Sequence, residues 1–134
     1  MEQLTGQIIA AAIEVHRALG PGLLESAYEE CLGKELELQN IPFKRQVPLP
    51  IIYKGFEISC GYRLDLVVSD AIILELKTVS SIEPIHAAQL LTYLKLSHKT
   101  LGLIINFHVP VLKQGIKRIV NNHPKNLRVS APPR

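Results

Sequence analysis

The sequence predicts a single α/β domain in which helices pack on a mixed β-sheet, in the order α-α-β-β-β-β-α-β-α. Three observations indicate this class. Two segments with helical spacing of apolar residues come first, strand-like segments follow up to about residue 77, and a further helix and strand come after Pro84. The chain has 134 residues, which suits one domain with one hydrophobic core.

Two helices are predicted over residues 3–19 and about 23–39, because apolar side chains recur at helical spacing in both. A Gly-Pro-Gly turn separates them, and Asn40 with Pro42 ends the second. The segment "PLPIIYKGFEIS" then predicts two strands around a turn at Lys54-Gly55.

Two more strands, "YRLDLVV" and "AIILELK", flank a turn signal at Ser69-Asp70, so this part of the chain predicts an antiparallel meander. Pro84 fits the first turn of a helix that runs to about residue 97. "LGLIINF" predicts a strand that could join the sheet in parallel, and a short last helix fits about 112–121. Residues 123–134 are polar and rich in proline, which predicts a flexible C-terminal tail.

The composition bounds the class of protein. Hydrophobic residues make up 47% and charged residues 20%, a globular balance rather than a disordered one. No apolar run approaches the roughly 20 residues that cross a bilayer, and the N-terminus lacks the basic region of a signal peptide. We therefore expect no membrane association. Neither cysteine lies in a CxxC pair, so neither a metal site nor a disulfide framework is indicated, and we expect a reducing, cytoplasmic location.

The charge is unevenly distributed along the chain. All 12 acidic residues lie within residues 1–83, whereas residues 84–134 carry only bases. A segment free of carboxylates favours an anionic partner such as nucleic acid, although a merely solvated basic face would give the same pattern.

Three charged residues, Asp65, Glu75 and Lys77, are set into the two most apolar strands. A hairpin around Ser69-Asp70 has two registers, which place Asp65 across from either Leu74 or Glu75. Only the second brings both carboxylates to one face, and it requires a three-residue turn or a bulge. Glu75 and Lys77 are two residues apart, so their side chains share a face.

In the second register the three charged groups converge on one patch of the sheet. Two neighbouring carboxylates repel each other unless a cation lies between them. Oxygen donors without a nearby His/Cys set suit Mg²⁺ or Mn²⁺ rather than zinc. A lysine beside such an ion can position or deprotonate a water. The patch therefore predicts phosphodiester hydrolysis, and the alternative is a solvated Glu–Lys pair on a polar strand face.

Asp65 followed by Glu75-Leu76-Lys77 at the end of an apolar strand resembles the PD-(D/E)xK nuclease signature. The residue before Asp65 is Leu64 rather than proline. This departure is common in the superfamily and leaves the carboxylate in place.

Two further motifs strengthen the resemblance. Gly22-x-x-Glu25-x-x-Tyr28 resembles the signature of the small GxxExxY proteins, which belong to the same superfamily. Gln89 and Tyr93 resemble the Q-x-x-x-Y element of the RecB-like and lambda-exonuclease-like branches, and their spacing puts both on one helical face.

The resemblance implies a restriction-endonuclease-like α/β/α sandwich over residues 1–122 and a Mg²⁺ (or Mn²⁺) cofactor. The implied metal ligands are Asp65, Glu75, the Leu76 backbone carbonyl and Glu25, and the implied catalytic residues are Lys77, Asp65 and Glu75. Gln89 and Tyr93 would contact substrate. Arg63 would contact a phosphate or orient Asp65, or else form a structural salt bridge, and His16 is either a ligand or a core residue.

Three functions remain open from the sequence. The first is a metal-dependent nuclease with nucleic acid, DNA favoured, as substrate. The second is a non-catalytic module that keeps the fold and binds nucleic acid or protein, and the third is a structural protein. The short chain leaves little room for a separate substrate-recognition domain, which fits a homodimer or an accessory subunit of a larger complex.

Overall fold

A computed structural model describes residues 1–121, so the predicted tail over residues 123–134 lies outside the described residues. The elements are α1 Glu2–Leu19, α2 Glu25–Leu38, β1 Phe43–Pro48, β2 Ile51–Tyr53, β3 Phe56–Ile58, β4 Arg63–Val68, β5 Ile72–Lys77, α3 Pro84–Ser97, β6 Leu101–Asn106 and β7 Ile116–Val120. The predicted α/β class is confirmed.

Five strands form the central sheet in the order β1-β4-β5-β6-β7. Neighbouring strands are antiparallel except β5 and β6, which pair in parallel after the crossover through α3. The sheet is therefore mixed, and the strand at 101–106 joins it in parallel as the sequence predicts.

Helices cover both faces of the sheet. On one face α1 and α2 pack, through residues such as Ile8 and Leu32, on Leu66, Leu74 and Leu103. On the other face Leu90, Tyr93 and Leu94 of α3 pack on Val67, Ile73 and Ile104. Glu75 and Lys77 alternate with Leu74 and Leu76 along β5 and therefore belong to the α3 side. Asp65 lies where the alternation of β4 breaks, since Leu64 packs on the α3 side and Leu66 on the other. No helix within residues 1–121 is long and apolar enough to cross a membrane.

The predicted last helix over about 112–121 is wrong. A short 3₁₀ turn over Leu112–Gly115 leads instead into β7. β6 is buried along its whole length, so an open outer edge would leave its backbone N–H and C=O groups without partners. β7 pairs with that edge, and the requirement outweighs the helical spacing of Leu112, Ile116 and Ile119.

The region between α2 and β4 also differs from the predicted meander. β1, which the sequence analysis missed, pairs with β4 at the edge of the sheet, and its charged residues Lys44 and Arg45 conceal it. β2 and β3 do form the predicted hairpin around Lys54-Gly55, but as a separate two-stranded sheet.

The loop between α1 and α2 is held by Tyr28. The buried Tyr28 hydroxyl donates to the Gly20 carbonyl at 2.5 Å and accepts from the Leu23 N–H at 3.2 Å. Gly20 and Gly22 have φ of 73° and 103°, which residues with a Cβ rarely adopt. These contacts fix the point at which α2 begins, and with it the position of the Glu25 backbone.

Candidate metal centre

The β4–β5 hairpin takes the register that brings the two carboxylates together. Leu66 pairs with Leu74 and Val68 with Ile72, so the same register places Asp65 across from Glu75. The connection is the three-residue turn that this register requires. Ser69 and Asp70 have φ of 53° and 54°, and the Ala71 N–H donates to the Val68 carbonyl at 2.9 Å.

The two strands separate at the candidate site. The backbone pairing of β4 with β5 runs only as far as Leu66 and Leu74, and beyond it the Leu76 N–H donates to Asp65 Oδ2 at 2.8 Å. The Lys77 carbonyl accepts from the Phe107 N–H on the β6 side. Since successive residues of a strand direct their backbone groups to opposite edges, the Leu76 carbonyl faces the β4 side, as its N–H does.

The Glu75 carboxyl is strongly perturbed. Its residue is 8% exposed, and its pKa is raised to about 9, with burial as the largest cause. The charge of Asp65 and a hydrogen bond with it contribute to this rise, and the charge of Glu25 adds a smaller effect. Lys77 acts in the opposite direction, because its ammonium favours the carboxylate. Two carboxyls and a lysine are therefore electrostatically coupled where the two strands separate.

The donor set fits a hard divalent cation. Two carboxylates and a backbone carbonyl on the same side offer oxygen ligands, and Mg²⁺ is commonly held by one or two carboxylates together with substrate phosphates. Within residues 1–121 no three His, Cys, Asp or Glu side chains lie close enough together to bind a metal ion. The pair Asp65 and Glu75 is thus the centre of the candidate site.

Glu25 lies near this pair without joining it. It is the first residue of α2 and is exposed, and its charge is close enough to raise the pKa of Glu75.

Tyr93, which belongs to the opposite helix layer, lies near the carboxyl pair. It is buried, and its pKa is raised by burial and by the charges of Glu75, Tyr62 and Asp65. Gln89, one turn earlier on the same face of α3, is exposed to solvent. The structure therefore brings Tyr93 to the carboxyl pair and leaves Gln89 at its solvent side.

Arg63 precedes Asp65 by two residues on β4 but does not bond to it. Its guanidinium donates to the Gln46 carbonyl at 3.4 Å, and its side chain is exposed. His16 lies on the other face of the sheet, where its Nε2 donates to the Val109 carbonyl at 2.9 Å. His16 is accordingly a satisfied core residue.

Sequence reasoning missed three features around the site. Glu29, which looks like a helix-surface residue, is buried and accepts hydrogen bonds from Arg45 and Gln46. Tyr62 lies beside Tyr93, with ring centroids 6.2 Å apart. The only sequence signal for Glu29 is its spacing: it lies one helical turn after Glu25, on the same side of α2. This spacing does not by itself predict that Glu29 is buried.

The third missed feature is Asn106, which is buried next to Lys77. Its side-chain amide donates to the Val79 carbonyl at 2.8 Å, and its oxygen accepts from the N–H groups of Val79 and His108. Asn106 therefore fixes the backbone that follows Lys77.

A mixed sheet between helix layers, with an Asp and a Glu-x-Lys segment where two central strands separate, defines the restriction-endonuclease-like class. The chain matches the PD-(D/E)XK nuclease superfamily over residues 2–119, and it belongs to this superfamily. Proteins of this superfamily typically use divalent metal ions. Neither a curated protein nor a solved structure matches the chain. The finer resemblance to GxxExxY proteins and the RecB-like branch stays a prediction.

Proposed function

We propose that the protein is a divalent-metal-dependent nuclease that hydrolyses phosphodiester bonds in nucleic acid, with DNA the favoured substrate. The observation that carries the proposal is the position of Asp65 across from Glu75 at the split of β4 and β5. Membership of the PD-(D/E)XK nuclease superfamily supports the same reaction class.

Asp65, Glu75 and the Leu76 carbonyl would hold Mg²⁺ or Mn²⁺, and Glu25 would join them after rotation of its side chain. When bound, such an ion lowers the pKa of water and stabilises negative charge on a phosphate. A cation there also offsets the repulsion that raises the pKa of Glu75.

Lys77 would help to activate the attacking water, because it shares a strand face with Glu75. Its ammonium would hold the water and stabilise the hydroxide that remains when the water's proton passes to solvent. Tyr93 would orient Lys77 or a substrate phosphate from the α3 side, and Gln89 would contact the strand at the solvent side. Arg63 forms no salt bridge with a carboxylate among residues 1–121, so its guanidinium would be able to bind a phosphate beside Asp65.

Five bases of residues 84–121 would track the nucleic-acid backbone: Lys95, Lys99, Lys113, Lys117 and Arg118. Lys99 lies 3.4 Å from Asp70, and Arg118 lies 3.4 Å from Glu2. Both carboxylates are highly exposed, so the two ion pairs are weak. A phosphate would therefore be able to replace the carboxylate in each pair. A cytoplasmic location and a homodimer or accessory-subunit role stay predictions.

The test is a cleavage assay with Mg²⁺ or Mn²⁺ on single-stranded and duplex DNA and RNA. We expect Asp65→Asn and Lys77→Ala to lower kcat by about a hundredfold or more, because each removes a group that acts on the reacting atoms. Glu14→Gln and Lys34→Ala are the matched controls, since both side chains are exposed on helix surfaces away from the site.

If the folded wild-type protein cuts no nucleic acid with either metal, or Asp65→Asn cuts at the wild-type rate, the proposal fails. Nucleic-acid binding that persists in EDTA without any cleavage would favour the non-catalytic binding module instead.

A further inference from the structure

The exposed aromatic side chains of the protein are concentrated in one segment. The chain has four Tyr, three Phe and no Trp. Tyr53, Phe56 and Tyr62 are 58%, 70% and 45% exposed, whereas the other aromatic residues are buried or partly buried. Large apolar side chains are normally removed from water, so a cluster of exposed aromatic residues indicates a binding surface.

The β2–β3 hairpin presents one face without charged residues. Tyr53 pairs with Phe56 and Ile51 with Ile58, and directly opposed residues share a face. These four residues are the hairpin face. Glu57, the hairpin's acidic residue, pairs with Ile52 on the opposite side.

A cation accompanies the hairpin face. Lys54 and Gly55 form the turn with φ of 50° and 83°, the combination typical of a tight two-residue hairpin. The Lys54 ammonium lies 5.4 Å from the centroid of the Tyr53 ring. An anionic group that approaches the rings therefore meets a positive charge at the tip.

The hairpin is continuous with the candidate metal centre. The Leu49 N–H donates to the Tyr62 carbonyl at 2.9 Å, which extends the β1–β4 pair beyond Pro48 and Arg63. The hairpin thus leaves the sheet at the end where β4 and β5 separate. Tyr62 lies beside Tyr93 of α3, with ring centroids 6.2 Å apart, so aromatic rings extend from α3 towards the hairpin.

We propose that the hairpin face stacks against unpaired nucleic-acid bases, which makes single-stranded nucleic acid the substrate class of the candidate site. This inference rests on the proposed nuclease function. Aromatic side chains stack on the π-face of any base, and a nearby cation holds the phosphates. In a duplex those base faces are already stacked, except at its ends, so a duplex cannot use the hairpin face along its length.

A second copy of this chain is the competing occupant. A stable protein interface buries about 800 Å² on each partner. The four partly exposed side chains of the hairpin face fall well short of that area. The charge of Lys54 and the position beside the candidate metal centre also favour a nucleic-acid strand.

The absence of tryptophan from the chain allows a direct test. Phe56→Trp places a single fluorescent reporter on the hairpin face, and the probe is oligodeoxythymidine in EDTA, so that no cleavage occurs. We expect saturable quenching by the single strand and a dissociation constant for a duplex of the same length that is at least about tenfold weaker. Leu38→Trp, at the exposed last residue of α2, is the matched control and should not be quenched.

The inference is overturned if the reporter at position 56 is not quenched, if the duplex quenches it equally well, or if its emission changes with protein concentration alone. The last outcome would assign the face to a second copy. With Mn²⁺, the Tyr53→Ala/Phe56→Ala double variant should raise KM for single strands at least about tenfold and leave kcat unchanged. Quenching of the Phe56→Trp reporter by single strands, together with wild-type protein that cleaves nothing, would overturn the proposed function alone.

Discussion

At the scale of single residues, the protein keeps a carboxyl group in an unfavourable place. Glu75 is buried on an apolar strand beside Asp65, and burial followed by repulsion raises its pKa to about 9. A side chain that served only stability would be better replaced by an apolar one. The cost is consistent with a group that is retained for ion binding.

The perturbed Glu75 predicts a pH dependence of stability in EDTA. The folded protein keeps a proton on Glu75 that the unfolded chain loses above a pKa of about 4.5. The stability that the protonated Glu75 contributes is therefore complete at low pH and is lost as the pH rises towards about 9. Relative to Glu75→Gln, the wild-type free energy of unfolding should fall by up to about 1.4 kcal/mol per pH unit in that window. Urea unfolding at a series of pH values measures it.

Glu14→Gln, at an exposed site on α1, is the control for a surface carboxyl. Wild-type and Glu75→Gln curves that run parallel across the window would mean that Glu75 titrates normally. With Mn²⁺ present, the wild-type protein should gain stability and the Glu75→Gln variant should not, because an amide lacks the charge that binds the ion.

Part of this residue arrangement follows from the sequence alone. The alternation of a strand places Glu75 and Lys77 on one face. The position of Asp65 depends on the three-residue turn, in which Ser69 and Asp70 both have positive φ, and neither residue type predicts that conformation. The burial of Glu29 could not be predicted, because its partners Arg45 and Gln46 belong to the strand that the sequence analysis missed.

At the scale of elements, long periodic segments were predicted well and the edges of the sheet were not. α1 and α3 match the helices expected over 3–19 and 84–97, because their apolar spacing has no competing interpretation. β1 and β7 are edge strands with charged residues, and each forms because a central strand needs a partner. That requirement belongs to the sheet and is not encoded in the local pattern.

The turn into β7 predicts a sharp contrast between two glycines. A Cβ at Gly115 would collide with the Asn106 carbonyl oxygen, and Asn106 also holds the backbone after Lys77. We expect Gly115→Ala to lower the free energy of unfolding by about 2 kcal/mol or more. Gly6→Ala, in the second turn of α1 with open space around it, should raise the free energy of unfolding by about 0.5–1 kcal/mol.

Thermal and urea unfolding of both variants measure this contrast. Equal stability of the two alanine variants would contradict the close approach of the turn to β6. A Gly115→Ala protein that folds should also lose cleavage activity, since the same contact positions the segment after Lys77.

At the scale of the whole molecule, the candidate site lies where the two helix layers meet the split of the sheet. Glu25 approaches from the α2 side through a loop that Tyr28 fixes, and Tyr93 approaches from the α3 side. The hairpin face continues from the same end of the sheet. This arrangement would let the protein combine the proposed metal centre with the proposed surface for its substrate.

A crystal structure grown or soaked with Mn²⁺ tests the central claim most directly, because anomalous scattering locates the ion. The account predicts an anomalous peak between the carboxylates of Asp65 and Glu75, within coordination distance of the Leu76 carbonyl, and no such peak for Asp65→Asn. Mn²⁺ bound only elsewhere, or a saturating soak that leaves no peak between these two carboxylates, would contradict it.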